Sequence, residues 1–208
     1  MVLYVLGLDV GFYHMGLVGC EVSESFELIK VDYCKLVDIT NFKCDKKVCE
    51  LYHDRCIADY MSHVFVNYYE IFDKADYIVI ERQPPMGLVA VQELLRFRFR
   101  SKSILISPNS MHAHNLMSDL NYEERKVRVI KITENLLNKF ESFNKCKRQH
   151  DLSDALCILK YFLFKKNNKY IENKMKEDIK KKNHVFIKNI NQFCYNGDYT
   201  GGDYTGGD

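Results

Sequence analysis

The stretch "YVLGLDVG", residues 4–11, constrains this chain more than any other. It opens as the apolar run of a strand covered on both faces, then sets Asp9 inside that run between Gly7 and Gly11. An ionised carboxylate in a dry strand is costly unless something pairs with it. A fold built around this strand must bring a partner to Asp9.

The rest of the chain alternates strand and helix signals. Residues 17–22 and 26–31 read as two further strands joined by a hairpin turn at "SES". From 46 to 72 the apolar residues Val48, Leu51, Tyr60, Met61, Val64, Phe65, Tyr68 and Phe72 keep three- and four-residue steps, which predicts one long amphipathic helix. "DYIVIE" is a short buried strand ending on Glu81, and the prolines of "RQPPMG" predict a loop. A helix over 88–100, a strand at "SILIS" stopped by Pro108, and a helix over 122–140 follow. "HDLSDALCILKYFLF" opens a last core helix, with Asp151 or Ser153 as its cap. The order predicts an α/β fold with a mixed central sheet, an antiparallel meander followed by parallel crossover strands, flanked by helices.

The predicted domain spans 1–166, a basic and partly helical extension spans 167–196, and the repeated "GDYTG" unit of 197–208 is a disordered tail. With 47% hydrophobic and 28% charged residues the composition is that of a soluble globular protein. No apolar stretch is long enough to span a membrane and no secretory signal is recognised, so the eight cysteines are expected to be thiols or ligands in a reducing compartment. Net charge is only +2, but basic residues cluster in "LRFRFRSK", in "NKCKRQH", and in seven lysines over 169–188.

Asp9 and Glu81 end neighbouring strands, and such strand ends face one crevice in an open α/β sheet. Asp151 and Asp154 lie three apart at a helix start and project from one face. Four carboxylates can therefore meet, and hard divalent cations bridging them would relieve their repulsion. Two such ions about 4 Å apart can hold an attacking water and a leaving oxygen in line across a phosphodiester.

"GLDVG" after an apolar strand, "IVIER" ending a later one and "HDLSDALCI" opening a late helix together resemble the RuvC-type Holliday junction resolvases of the RNase H-like superfamily. The "ERQPPMG" loop, the aromatic helix and the small size are most similar to the poxvirus branch. The resemblance covers about residues 2–164. It implies an RNase H-like fold, a homodimer, two Mg²⁺ ions per active site with Mn²⁺ as a substitute, and paired nicks across four-way DNA junctions. It also implies action on replicated viral DNA in the cytoplasm of an infected cell, with no membrane and no small-molecule cofactor. By motif position Asp9, Glu81, Asp151 and Asp154 match the family's acidic residues, which are both catalytic and metal-binding. Lys126 matches a basic residue near the reacting phosphate, with Arg125 and Arg128 as close alternatives. Arg82, Arg96, Arg100, Arg125 and Arg128 are the expected DNA contacts; Arg96 and Arg100 share one helical face.

Three rivals remain. An RNase H acting on RNA–DNA hybrids would use the same carboxylates. An ATP-binding sugar-kinase or actin-like protein would need a second such domain and a second phosphate loop. A non-catalytic DNA-architectural protein would need no carboxylate cluster.

Other features have plainer readings. In "CDKKVCELYHDRC", Cys49, His53 and Cys56 fall at helical steps with Cys44 just upstream, a zinc-like set. The stretch lacks a CxxC knuckle, and thiols serve as small core residues, so no structural zinc is expected. Tyr52, Tyr60, Phe65, Tyr68, Tyr69 and Phe72 are expected to form core or a dimer interface, and His112 and His114 to lie in a polar loop.

Overall fold

A computed structural model of the chain describes residues 1–41, 44–84 and 89–195, with side chains to 180. Strand β1 (Val2–Val10) is the centre of the architecture. Its side chains alternate between two faces, as the pleat requires. Leu6, Leu8 and Val10 enter one apolar core, while Val5 enters the other. Gly7 and Asp9 share the face of Val5, so the carboxylate points to the second core's side.

β1 pairs antiparallel with β2 (His14–Ser23), which pairs antiparallel with β3 (Leu28–Asp38). On its other edge β1 pairs in parallel with β4 (Tyr77–Glu81), and β4 pairs in parallel with β5 (Ser103–Ile106). The five strands run in the order β3-β2-β1-β4-β5. β2 and β3 are longer than the sequence periodicity suggested, because their exposed ends are held by pairing down to His14↔Asp38.

Helices α1 (Ile57–Asn67), α2 (Tyr69–Lys74) and α3 (Val89–Arg98) cover one face. The single helix expected over 46–72 is thus a correction. Residues 44–56 carry turns, and the helix begins only at Ile57. The backbone carbonyl and side chain of Asp45 take the amides of Val48, Cys49 and Lys47, closing a local turn instead of a helix. The aromatic series splits accordingly. Phe72 is fully buried and stacks on Phe99, with Phe65 edge-on to both, whereas Tyr52 and Tyr69 stay exposed. Lys102, one of the clustered cations, is used internally, donating to the carbonyls of Phe72 and Asp73 at the end of α2.

The other face is covered by α4 (Pro108–His114), α5 (Tyr122–Leu137), α6 (Glu141–Asn144) and the first part of α7 (Gln149–Tyr195). Residues 108–114 are helical, not the loop expected from their polarity. Pro108 sits at the first helical position, where its missing N–H costs nothing, and Met111 is buried beneath. Since α7 starts at Gln149, Asp151 lies inside its first turn and neither Asp151 nor Ser153 is the cap.

Two glycines set how closely α7 approaches the sheet. A Cβ on Gly7 would run into the Ala155 carbonyl and lie 2.9 Å from the Leu159 Cβ, and a Cβ on Gly16 would meet the backbone of Asp151. Gly16 is the cross-strand partner of Asp9. The absence of side chains at these two points lets the acidic first turn of α7 rest beside Asp9.

By its contacts the chain divides into two units, residues 1–167 and 168–208. Within the second unit α7 continues to Tyr195; the tail expected to be disordered over 197–208, and 85–88 of the proline loop, lie outside the described residues. Among the described residues no helix is long and apolar enough to cross a membrane.

Candidate active site

Asp9 and Glu81 occupy equivalent places on adjacent parallel strands. The register Gly7↔Val79 puts Asp9 and Glu81 one pleat further on, both on the α7 side. α7 brings Asp151 and Asp154 over the same point from above the sheet. All four line one cleft with a volume of about 260 Å³, together with Gly11, His14, His112, Tyr122, Arg125, Lys126, Arg148 and His150.

The electrostatics follow from crowding. Burial is the largest influence on Asp9 and pushes its carboxyl well above the usual range; Glu81, Asp154 and Asp151 push it further. Glu81 is raised by burial, with hydrogen bonds from Asp9 and Gln83 opposing. A side-chain hydrogen bond joins the two acids, raising Asp9 and lowering Glu81. Asp154 is lifted to about 7, first by burial and then by Glu81 and Asp151, while Arg125 opposes. Among the described residues, Asp151 is the one acid of the four in a salt bridge with an arginine. Arg148 grips it through two hydrogen bonds, Nε to Oδ2 at 2.6 Å and Nη2 to Oδ1 at 3.1 Å. His150 Nε2 lies 2.9 Å from Asp151 Oδ1 but without hydrogen-bond alignment, and burial lowers its pKa despite that neighbour.

The basic rim comes mainly from α5. A capping box, in which Asn121 and Glu124 exchange side chain-to-backbone bonds, fixes the first turn. That turn presents Tyr122, Arg125 and Lys126 to the cleft. Lys126 pairs with Glu123 at 3.3 Å and sits 4.0 Å over the Tyr122 ring. Of the three cations left open by the sequence, Arg128 is elsewhere: it lines a separate groove with Leu120 and Val127, and its Nε is buried without a hydrogen-bond partner. Arg82, Arg96 and Arg100 are exposed outside the cleft; Arg96 lies 3.9 Å from Glu93. The loop after Glu81 is tied back by Gln83, whose amide donates to the buried Gln92 at 2.7 Å.

Sequence reasoning missed Arg148, His14, His112 and His150 as cleft residues. Arg148 and His150 precede Asp151 by three residues and one in "RQHDLSD", a signal that lies within the basic cluster "NKCKRQH". His112 required knowledge of α4.

The donor set suits hard divalent cations. Four carboxylates converge, and burial raises the pKa of Asp9, Glu81 and Asp154 above that of isolated acids, with neighbouring carboxylates adding to it at Asp9 and Asp154. An all-oxygen donor set of this kind fits a hard divalent cation.

No protein-family model matches the chain, and no curated protein does. Solved structures do. The yeast mitochondrial Holliday junction resolvase Ydc2 superposes with a TM-score of 0.55 at 16% identity, over 81% of this chain and 82% of that one. The fowlpox virus resolvase, solved with Holliday junction DNA, gives 0.57 at 13% identity, over 78% and 98%. Thermus thermophilus RuvC with its junction substrate gives 0.50 at 15%, over 79% and 95%. The mixed five-stranded sheet with helices on both faces is therefore the RNase H-like fold of the RuvC-type Holliday junction resolvases.

Proposed function

We propose that this chain is a structure-selective endonuclease that cuts four-way DNA junctions by divalent-metal-dependent phosphodiester hydrolysis. The single observation carrying this reading is the convergence of Asp9, Glu81, Asp151 and Asp154 in one cleft with a basic rim. The junction-resolvase fold supports DNA over other phosphodiesters.

Asp9, Glu81, Asp151 and Asp154 would hold two Mg²⁺ ions, for which Mn²⁺ can substitute. Bound there, the metal supplies an acidified water and stabilises the departing 3′ oxygen. The chain's own groups do the rest. The sheet positions Asp9 and Glu81 rigidly, and Arg148 orients Asp151 through its two-pronged grip. Lys126, and Arg125 beside it, offset charge that grows on the phosphoryl group. His112 and His150 are kept uncharged by burial near neutral pH and can accept a proton at the cleft wall. Arg82, Arg96 and Arg100 would grip phosphates further along the DNA arms, adding affinity without base reading.

A four-way junction cut on opposite strands is two-fold symmetric, which supports a homodimer. The likeness to the fowlpox enzyme supports a viral setting, in the cytoplasm of the infected cell.

The test is cleavage of a synthetic four-way junction, a linear duplex and an RNA–DNA hybrid, each with and without Mg²⁺. Paired nicks in the junction alone are expected. Preferential cutting of the hybrid would make the chain an RNase H, and tight junction binding without cleavage would make it an architectural protein.

A further inference from the structure

On the α1 side of the sheet, away from the carboxylate cleft, Cys44, Cys49, His53 and His63 converge. Their Sγ and ring nitrogen atoms all lie within 4.8 Å of one another. Cys44 Sγ is 3.2 Å from His53 Nε2, His53 Nε2 is 3.2 Å from His63 Nε2, and Cys49 Sγ is 3.6 Å from His63 Nε2. With Zn–S near 2.3 Å and Zn–N near 2.0–2.1 Å, a tetrahedral ion has edges of about 3.3 Å between nitrogens and about 3.6 Å between sulfur and nitrogen. The His53–His63 and Cys49–His63 separations match these edges, and the Cys44–His53 separation is about 0.4 Å shorter than its edge.

The geometry points to a structural zinc site, Cys44-Cys49-His53-His63, built into the nuclease unit and independent of the junction-cutting reading. This proposal departs from the expectation, drawn from the sequence, that the segment holds no zinc. The ligand spacing is C-x4-C-x3-H-x9-H, so no CxxC knuckle is needed. His63, nearly two turns beyond the start of α1, completes the set, and Cys56 does not belong to it.

The surroundings are those of a metal centre. His63 Nδ1 lies 2.8 Å from the Asp59 carbonyl, and assigning it as the donor leaves Nε2 as the ligating atom. The buried Asp59 carboxylate accepts the Asp54 amide at 2.8 Å, which ties the residue after His53 to the same helix turn. Arg55 takes a left-handed φ of 61°, a conformation that non-glycine residues adopt only when the surroundings enforce it.

The donor chemistry selects zinc over the ions suited to the cleft. Two thiolates and two neutral imidazoles bind a borderline-soft tetrahedral cation, and four protein ligands leave no open position for catalysis. On binding, the Cys44 and Cys49 thiols each release a proton, so the filled site is neutral. Residues 44–56 have little secondary structure of their own. Zinc would staple this segment to α1 and make its fold metal-dependent.

The test uses the full chain, expressed with supplemented zinc and dialysed against a weak oxygen-donor chelator. Elemental analysis is expected to find one zinc per chain. Co²⁺ exchanged into the site should show the intense visible bands of tetrahedral coordination and thiolate charge transfer. Cys49→Ser and His63→Ala should lose the metal, whereas Cys56→Ser and Asp9→Asn should retain it. As a readout that needs no variant to fold, wild-type thiols are alkylated with and without zinc. Zinc should protect Cys44 and Cys49 and leave the exposed Cys56 reactive. A chain that keeps no zinc and gives no tetrahedral Co²⁺ spectrum, or equal alkylation of Cys44 and Cys49 in both conditions, overturns the proposal. So does loss of zinc in Cys56→Ser but not in His63→Ala.

Discussion

The two faces of the sheet carry ligand clusters of opposite character. On the α7 face, four carboxylates from β1, β4 and α7 crowd together, and their repulsion is relieved only by protons, by Arg148 on one member, or by hard cations. On the α1 face, thiols and imidazoles from one short stretch of chain surround a point the size of a tetrahedral ion. The first cluster strains the fold that holds it, and the second would secure it. Oxygen donors at the ends of rigid strands leave room for substrate; a closed sulfur–nitrogen set leaves none.

The strongest way to break this contrast is to neutralise the acids. Asp9→Asn, Glu81→Gln, Asp151→Asn and Asp154→Asn should each lower single-turnover junction cleavage by about 10³-fold or more, beyond the 10²–10³ of a single charge-stabilising donor. Binding, measured by fluorescence anisotropy, should persist. Wild-type cleavage by Asp9→Asn would end the metal-nuclease reading.

Next in size is the rim. Lys126→Ala should slow cleavage at saturating protein by roughly 10²-fold, while weakening binding by less than about tenfold, or 1.4 kcal/mol. Arg125→Ala and Arg148→Ala belong in the same series. A larger rate defect at Arg148 with unchanged binding would show that orienting Asp151 matters more than offsetting phosphoryl charge.

A smaller effect tests the claim of strain directly. Raised carboxyl pKa values mean that the metal-free fold prefers the protonated acids. Their contribution to stability is therefore present at low pH and is lost as pH rises from the ordinary carboxylate range through about 7, where Asp154 titrates. Differential scanning fluorimetry of chelator-treated protein should show this decline. Asp154→Asn should flatten it, raising the melting temperature at pH 8 by several degrees, at about 2–4 °C per kcal/mol for a chain of this size. Mg²⁺ should stabilise wild type and have little effect on the variant.

The smallest expected change is at the outlying arginines. Arg96→Ala and Arg100→Ala should each reduce the salt dependence of binding by about one phosphate contact, with the saturated rate unchanged. If either lowers that rate, the DNA path reaches the chemistry from α3 as well as from α5.

The legibility of the two clusters in the sequence differs for a physical reason. Asp9 and Glu81 break otherwise apolar strands, and a two-residue period places them on one face without any tertiary knowledge. Asp151 and Asp154 follow from helical spacing alone. The metal-like set was half seen. Cys44, Cys49 and His53 stand close in the chain, but Val48, Leu51 and Tyr60 keep a helical rhythm that hid the turns between them. His63 looked like one more residue of that helix, and only the folding back of 44–56 brings it to the others. Lys102 and Arg148 show the same limit for charge: one caps α2 and the other holds Asp151, although both stood in basic clusters.

The seating of α7 on Gly7 and Gly16 has a consequence in time as well as in space. The strands supply two carboxylates by residue 81, but the other two arrive with residues 151 and 154 and dock only when the glycine seats receive the helix. During synthesis the chain emerges from its N-terminus, so a nascent chain can build nearly the whole sheet and still hold half of the cluster. The complete carboxylate cluster is thus the last feature the folding unit acquires, and a chain truncated before residue 151 would hold only two of its four acids.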